Sequence, residues 1–145
     1  MADVSNPEIE ELYNEVFSGK TETSWFILKY EDPKSNVLVV DCKGEGNGLE
    51  EIKSHLQEDQ CQYCYVRLTT GDEESKRTKF IFITWVGERV SPLKRAKISV
   101  HKADVKAVIK VYACEFHFTN VDDINEEEIL ATVVKAGGAN YSANT

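Results

Sequence analysis

Between Ser75 and Lys110 lie ten basic residues, Lys76, Arg77, Lys79, Arg89, Lys94, Arg95, Lys97, Lys102, Lys106 and Lys110, against only Glu88 and Asp104. That window carries +8 in a chain whose formal charge is −8, so the remainder carries −16. Cations at this density repel one another unless an anion faces them, either from the same fold or from a partner. The chemistry on offer is ion pairing and charge-assisted hydrogen bonding to carboxylate or phosphate. Phosphate readers interleave exposed aromatics or use arginine forks, whereas Phe80, Phe82 and Trp85 fall in an apolar run. An acidic protein surface is the better match.

Other reactive residue types are present without the spacing their chemistry needs. Cys61-x-x-Cys64 and Cys114-x-x-His117 have the composition of a zinc site. Both pairs fall in runs with strand character, where residues three apart point to opposite faces and cannot share one metal. Buried thiols are the expectation. Gly44-x-Gly46-x-Gly48 lacks the dinucleotide spacing and any Gly-Lys-Ser/Thr, and Glu45, Glu50 and Glu51 would repel a phosphate there. A connecting loop is expected. No Ser/His/Asp or Cys/His pairing stands out, and His55, His101 and His117 read as surface or strand residues. No catalytic residue and no cofactor are assigned.

The elements that position the basic residues follow from periodicity. Asn6-Pro7 caps a helix whose Ile9, Leu12, Tyr13, Val16 and Phe17 repeat until Ser18-Gly19. Two β-rich runs, 24–30 and 36–41, flank the turn Glu31-Asp32-Pro33-Lys34-Ser35. A short helix carries Leu49, Ile52 and Leu56, and strands are expected over 61–70, 79–86 and 112–119. The 79–86 run is apolar on both faces, as a central strand should be. Ser91-Pro92 opens a long helix with Leu93, Ala96, Val100, Ala103, Ala107 and Val111 on its main apolar stripe; Ile98, Val105 and Ile109 form a second line. An acidic helix over 122–134 ends at Lys135-Ala136-Gly137-Gly138. The order α-β-β-α-β-β-α-β-α predicts a mixed sheet sandwiched by helices in one domain over 1–136, followed by a flexible tail over 137–145.

On this frame Arg77 and Lys79 share one face of the strand that follows the turn. At 100° per residue, Arg95, Lys102, Lys106 and Lys110 occupy an arc of about 80° on the long helix, with Lys94, Lys97 and His101 on its other shoulder. The N-terminus has neither the basic nor the apolar part of a secretory signal, and no apolar run approaches a membrane span. A cytoplasmic protein without membrane insertion or nucleic-acid binding is expected.

The stretch Thr69-Thr70-Gly71-Asp72-Glu73-Glu74-Ser75-Lys76-Arg77-Thr78-Lys79-Phe80, with Ile83-Thr84-Trp85-Val86-Gly87-Glu88 and Leu93-Lys94-Arg95-Ala96-Lys97, resembles the coactosin branch of the ADF-homology (cofilin-like) actin-binding domains. The tail Lys135-Ala136-Gly137-Gly138-Ala139-Asn140-Tyr141 is similar too. The resemblance implies an α+β fold, a central five- or six-stranded mixed sheet with about four helices. It also implies non-catalytic binding of filamentous actin by a monomer of the actin cytoskeleton, with weak binding of monomeric actin at most. The position matching the family's central filament contact is Lys79, with Lys76 and Arg77 beside it; Lys94, Arg95, Lys97 and Lys102 match the actin-facing helix. Filament stabilisation or protection against capping is expected rather than severing. The alternatives are a cofilin-like depolymerising factor that also binds monomers, and a phosphoinositide-binding regulatory domain.

Overall fold

The computed structural model describes residues 2–32, 34–46, 48–70 and 77–143, with Thr70 and 136–143 as backbone only. Helix α1 (Pro7–Ser18) starts where the Asn6 side chain accepts the Glu8 N–H at 2.9 Å, and ends at Gly19, whose φ of 70° lets its own N–H reach the Glu15 carbonyl. Strands β1 (Thr23–Tyr30) and β2 (Leu38–Glu45) form the first hairpin, and α2 (Leu49–His55) follows. Strands β3 (Cys61–Thr70) and β4 (Arg77–Val86) form the second, longer one. Helix α3 (Pro92–Val108), strand β5 (Cys114–Phe118), a single 3-10 turn and helix α4 (Glu126–Ala143) complete the chain.

The sheet order is β2-β1-β3-β4-β5, antiparallel throughout except for the parallel β4–β5 pair. Among the described residues, five strands and four α-helices match the expected α+β architecture. Strand alternation sorts the core into two halves. Phe26, Leu28, Tyr30, Tyr63, Tyr65 and Phe82 face α1 and α3. Trp25, Ile27, Cys64, Val66, Leu68, Ile81, Ile83 and Trp85 face α2 and α4. Strand β4 is thus covered on both sides, as its unbroken apolar run required. The N-terminal residues are tied down as well. Ala2 N–H donates to Asp104 on α3 at 2.9 Å, and Asp3 bridges to Val37.

Two elements depart from the periodicity reading. Helix α3 buries Ile98, His101 and Val105, whereas Leu93 is 74% exposed and Val100 59% exposed; Ala96, Ala103 and Ala107 are exposed with them. The expected main stripe therefore faces outward. Two apolar lines ran along this helix, and the bulkier β-branched one displaces more water from the aromatic sheet face than a row of alanines does. His101 can join the buried side because Tyr30 satisfies its Nδ1 at 2.7 Å. The second departure is α4, which runs on to Ala143 through Gly137-Gly138. Each glycine costs only about 1 kcal/mol in a helix, which weakens continuation without forbidding it. No described helix is long and apolar enough to cross a membrane.

Candidate functional site

Strand β4 and helix α3 carry the basic residues, and their connectivity decides where those residues lie. Arg77 and Lys79 sit at the start of β4, opposite Thr70 and Leu68 of β3, Arg77 exposed and Lys79 half-buried. Alternation puts both on the face shared with Ile81, Ile83 and Trp85. Lys76 lies outside the described residues. Lys94, Arg95 and Lys97 occupy the first turns of α3, which begins beyond the far end of β4. The helix then runs back along the sheet until Ala113 N–H reaches the Phe80 carbonyl. From Lys79 to Val86 is seven residues, about 23 Å of strand. What reads in sequence as a single basic segment is therefore two patches at opposite ends of one strand.

Within the second patch each cation has its own setting. The Lys94 ammonium lies 5.1 Å from the centre of the Tyr30 ring, a cation–π contact. Arg95 turns back on the loop before its helix, Nε donating to the Val90 carbonyl at 3.1 Å and Nη2 to the Gly87 and Glu88 carbonyls at 3.3 and 2.7 Å. That loop is tightly seated, since a Cβ on Gly87 would lie 2.1 Å from the Glu58 carbonyl oxygen. Arg95 thus shapes the patch as well as charging it. Lys97 is exposed.

Further along α3, Lys102 and Lys106 meet Glu115 of β5 at 2.9 and 2.5 Å. Burial pushes the Glu115 carboxyl up, but hydrogen bonds from Lys106 and Lys102 outweigh it and hold the group below its ordinary value. Part of the basic window is therefore balanced inside the fold. Nothing in the sequence marked Glu115 as that balance, because the pairing depends on how β5 lies against α3. Sequence reasoning also passed over Lys34, on the β1–β2 turn, and the inward placement of His101, whose imidazole burial holds below its ordinary value.

The competing constellations resolve into packing. Cys61 faces the α1/α3 half of the core and Cys64 the α2/α4 half, as the strand spacing required. Among the described residues no group of three His, Cys, Asp or Glu side chains is arranged to hold a metal. Burial pushes Cys42 and Cys61 up to about 11, and Cys64 and Cys114 upward as well. Such thiols stay protonated at pH 8, with about one in a thousand ionised for a group near 11. Titration of the native protein with a disulfide reagent at pH 8 should accordingly leave Cys61 and Cys64 unmodified and reach all four only after unfolding. Rapid modification of Cys61 in the native protein would contradict this. The glycine-rich stretch is the seat of Trp25, whose indole packs against Gly44 and Gly48. A Cβ on either would come within 2.3 Å of the ring.

A family model of cofilin/tropomyosin-type actin-binding proteins matches residues 1–134 of this chain. Coactosin of Dictyostelium discoideum is 46% identical over 144 residues, covering 99% of this chain and 97% of that one. Among solved structures, coactosin from Entamoeba histolytica superposes with a TM-score of 0.80 at 40% identity, covering 94% of each chain. The solution structure of mouse coactosin, described there as an actin filament binding protein, gives 0.75 at 33% identity, covering 99% of this chain and 98% of that one.

Proposed function

The chain belongs to the coactosin branch of the cofilin/tropomyosin-type actin-binding proteins, and from that premise we propose that it binds actin filaments without catalysis. The observation that carries the reading is the pair of cationic patches at the two ends of β4 in an otherwise acidic molecule. Lys76, Arg77 and Lys79 form the contact at the hairpin, and Lys94, Arg95 and Lys97 the contact at the start of α3. Lys102 enters this site only as part of its ion pair with Glu115. The exposed row Leu93, Ala96 and Val100 runs beside the second patch and supplies an apolar centre for a charged rim. Two contacts at opposite ends of a strand about 23 Å long suit a surface assembled from repeating subunits better than a single cleft. The protein acts as a monomer in the cytoplasm and stabilises filaments or guards their ends rather than severing them.

Co-sedimentation with filaments tests this, with monomeric actin as the control. Because the contacts are charge-assisted and largely exposed, raising salt from about 50 to 200 mM should weaken binding by about tenfold. A bound fraction indifferent to salt would remove the two patches from the interface. Absence of pelleting at low salt would remove the function itself.

A further inference from the structure

Between the β1–β2 turn and the first turns of α3 lies a cavity of about 250 Å³. Lys34 of the turn and Lys94, Lys97 and His101 of α3 line it, with Tyr30 and Leu93 as its aromatic and aliphatic walls. None of its described lining residues is acidic. Asp32, the nearest carboxylate in sequence to Lys34, is engaged by the Lys34 backbone N–H at 2.8 Å. His101 is 4% exposed, yet only its Nδ1 is bonded, to the Tyr30 hydroxyl, which lies 3.1 Å from that of Tyr63. When Tyr63 donates to Tyr30 and Tyr30 to Nδ1, the His101 Nε2 carries a proton. That nitrogen has no hydrogen-bond partner among the described residues. Three lysines and a buried imidazole thus line one small space.

We propose that this cavity seats a carboxylate side chain of the actin filament, with Lys34, Lys97 and His101 joining Lys94 around it. The inference rests on the filament-docking reading above and adds the β1–β2 turn to the interface. The lining favours a carboxylate over a phosphate. Phosphate sites recruit arginine forks or free backbone amides. Here the Arg95 guanidinium is turned to carbonyls of its own loop, and the first-turn amide of Lys94 is capped by the Ser91 hydroxyl at 3.3 Å. What remains are point charges on flexible stems, suited to a singly charged group that a partner surface delivers into the opening.

The experiment compares Lys34→Glu with wild type in filament co-sedimentation at low salt, with thermal melting as the check on folding. Lys20→Glu, the same charge change on the exposed α1–β1 turn, is the control. Lys34→Glu should weaken binding about tenfold, as expected for a close charge pair turned repulsive, and Lys20→Glu should not. Combined with Lys97→Glu, the loss should fall short of the two single losses together, because both lysines address one anion. If wild type pellets and Lys34→Glu pellets equally, the seat is wrong while the filament reading survives; if wild type fails to pellet, it is the filament reading that fails. Fully additive losses would place the lysines at separate contacts and overturn the proposal. So would inorganic pyrophosphate shifting the His101 resonances at sub-millimolar concentration in a protein whose pelleting ignores Lys34.

Discussion

Replacing Lys79 by Glu is expected to weaken filament binding about a hundredfold while the domain stays folded. Lys79 stands third in β4, half-buried beside Leu68 on the neighbouring strand, at the end of the sheet farthest from the start of α3. A lysine whose stem is partly covered holds its charge in place, and on meeting an acidic surface that contact is worth more than one from a freely moving rim lysine. Breaking a charge pair that docking buries costs about 2–5 kcal/mol, of which 2.7 already corresponds to about a hundredfold. Reversal, unlike truncation, also adds repulsion. The backbone pairing of Lys79 with Leu68 does not use the side chain, so the domain should still fold, which thermal melting checks. Lys79→Gln separates charge from stem, because it keeps most of the stem and removes the charge, and about a tenfold loss is expected. Co-sedimentation isotherms of the two variants decide the matter. A folded Lys79→Glu protein that binds like wild type would take this residue out of the site.

The largest effect on stability is expected from Trp25→Ala. Trp25 is 1% exposed and stands on β1 against two glycines, with its Nε1–H donating to the Glu45 carbonyl at 3.3 Å and the His55 ring 6.2 Å away. Gly48 holds a φ of 65°, so its backbone is committed to a path shaped around that indole. Removing the ring leaves a cavity that this path is poorly placed to close. Loss of a buried tryptophan in such a setting costs about 4 kcal/mol. For a chain of 145 residues this corresponds to a fall in melting temperature of roughly 10–15 °C. Calorimetry or urea unfolding measures it directly. A loss below about 1 kcal/mol would show that the glycine loop collapses freely onto the vacancy.

Sequence and structure agree wherever a local rule had no competitor. Asn6-Pro7 and Ser91-Pro92 are helix starts in both, because a capping side chain and a fixed proline φ leave the chain few alternatives. The opposed faces of Cys61 and Cys64 follow from a period of two that tertiary packing cannot alter. Helix α3 shows where local rules stop. Its two apolar lines are both valid helical stripes, and only the shape of the sheet surface selects Ile98 and Val105 over Leu93 and Val100. Burial of His101 needed a tyrosine from β1 seventy-one positions away. The charge count located the basic segment but not its division in two, which depends on α3 starting at the far end of β4. Lys34 carried no signal, since a lysine in a turn is ordinary and its neighbours around the cavity come from another element.

Strand β4 has hydrogen-bonded partners on both edges and side chains packed above and below, so it bends little. In the proposed docking mode, that stiffness fixes the separation of the two patches before any encounter. Once one has engaged, the other arrives at high effective concentration, and two individually weak contacts combine into avidity. The molecule then gauges distance as well as charge, and an acidic surface with the wrong repeat would secure only one end of it.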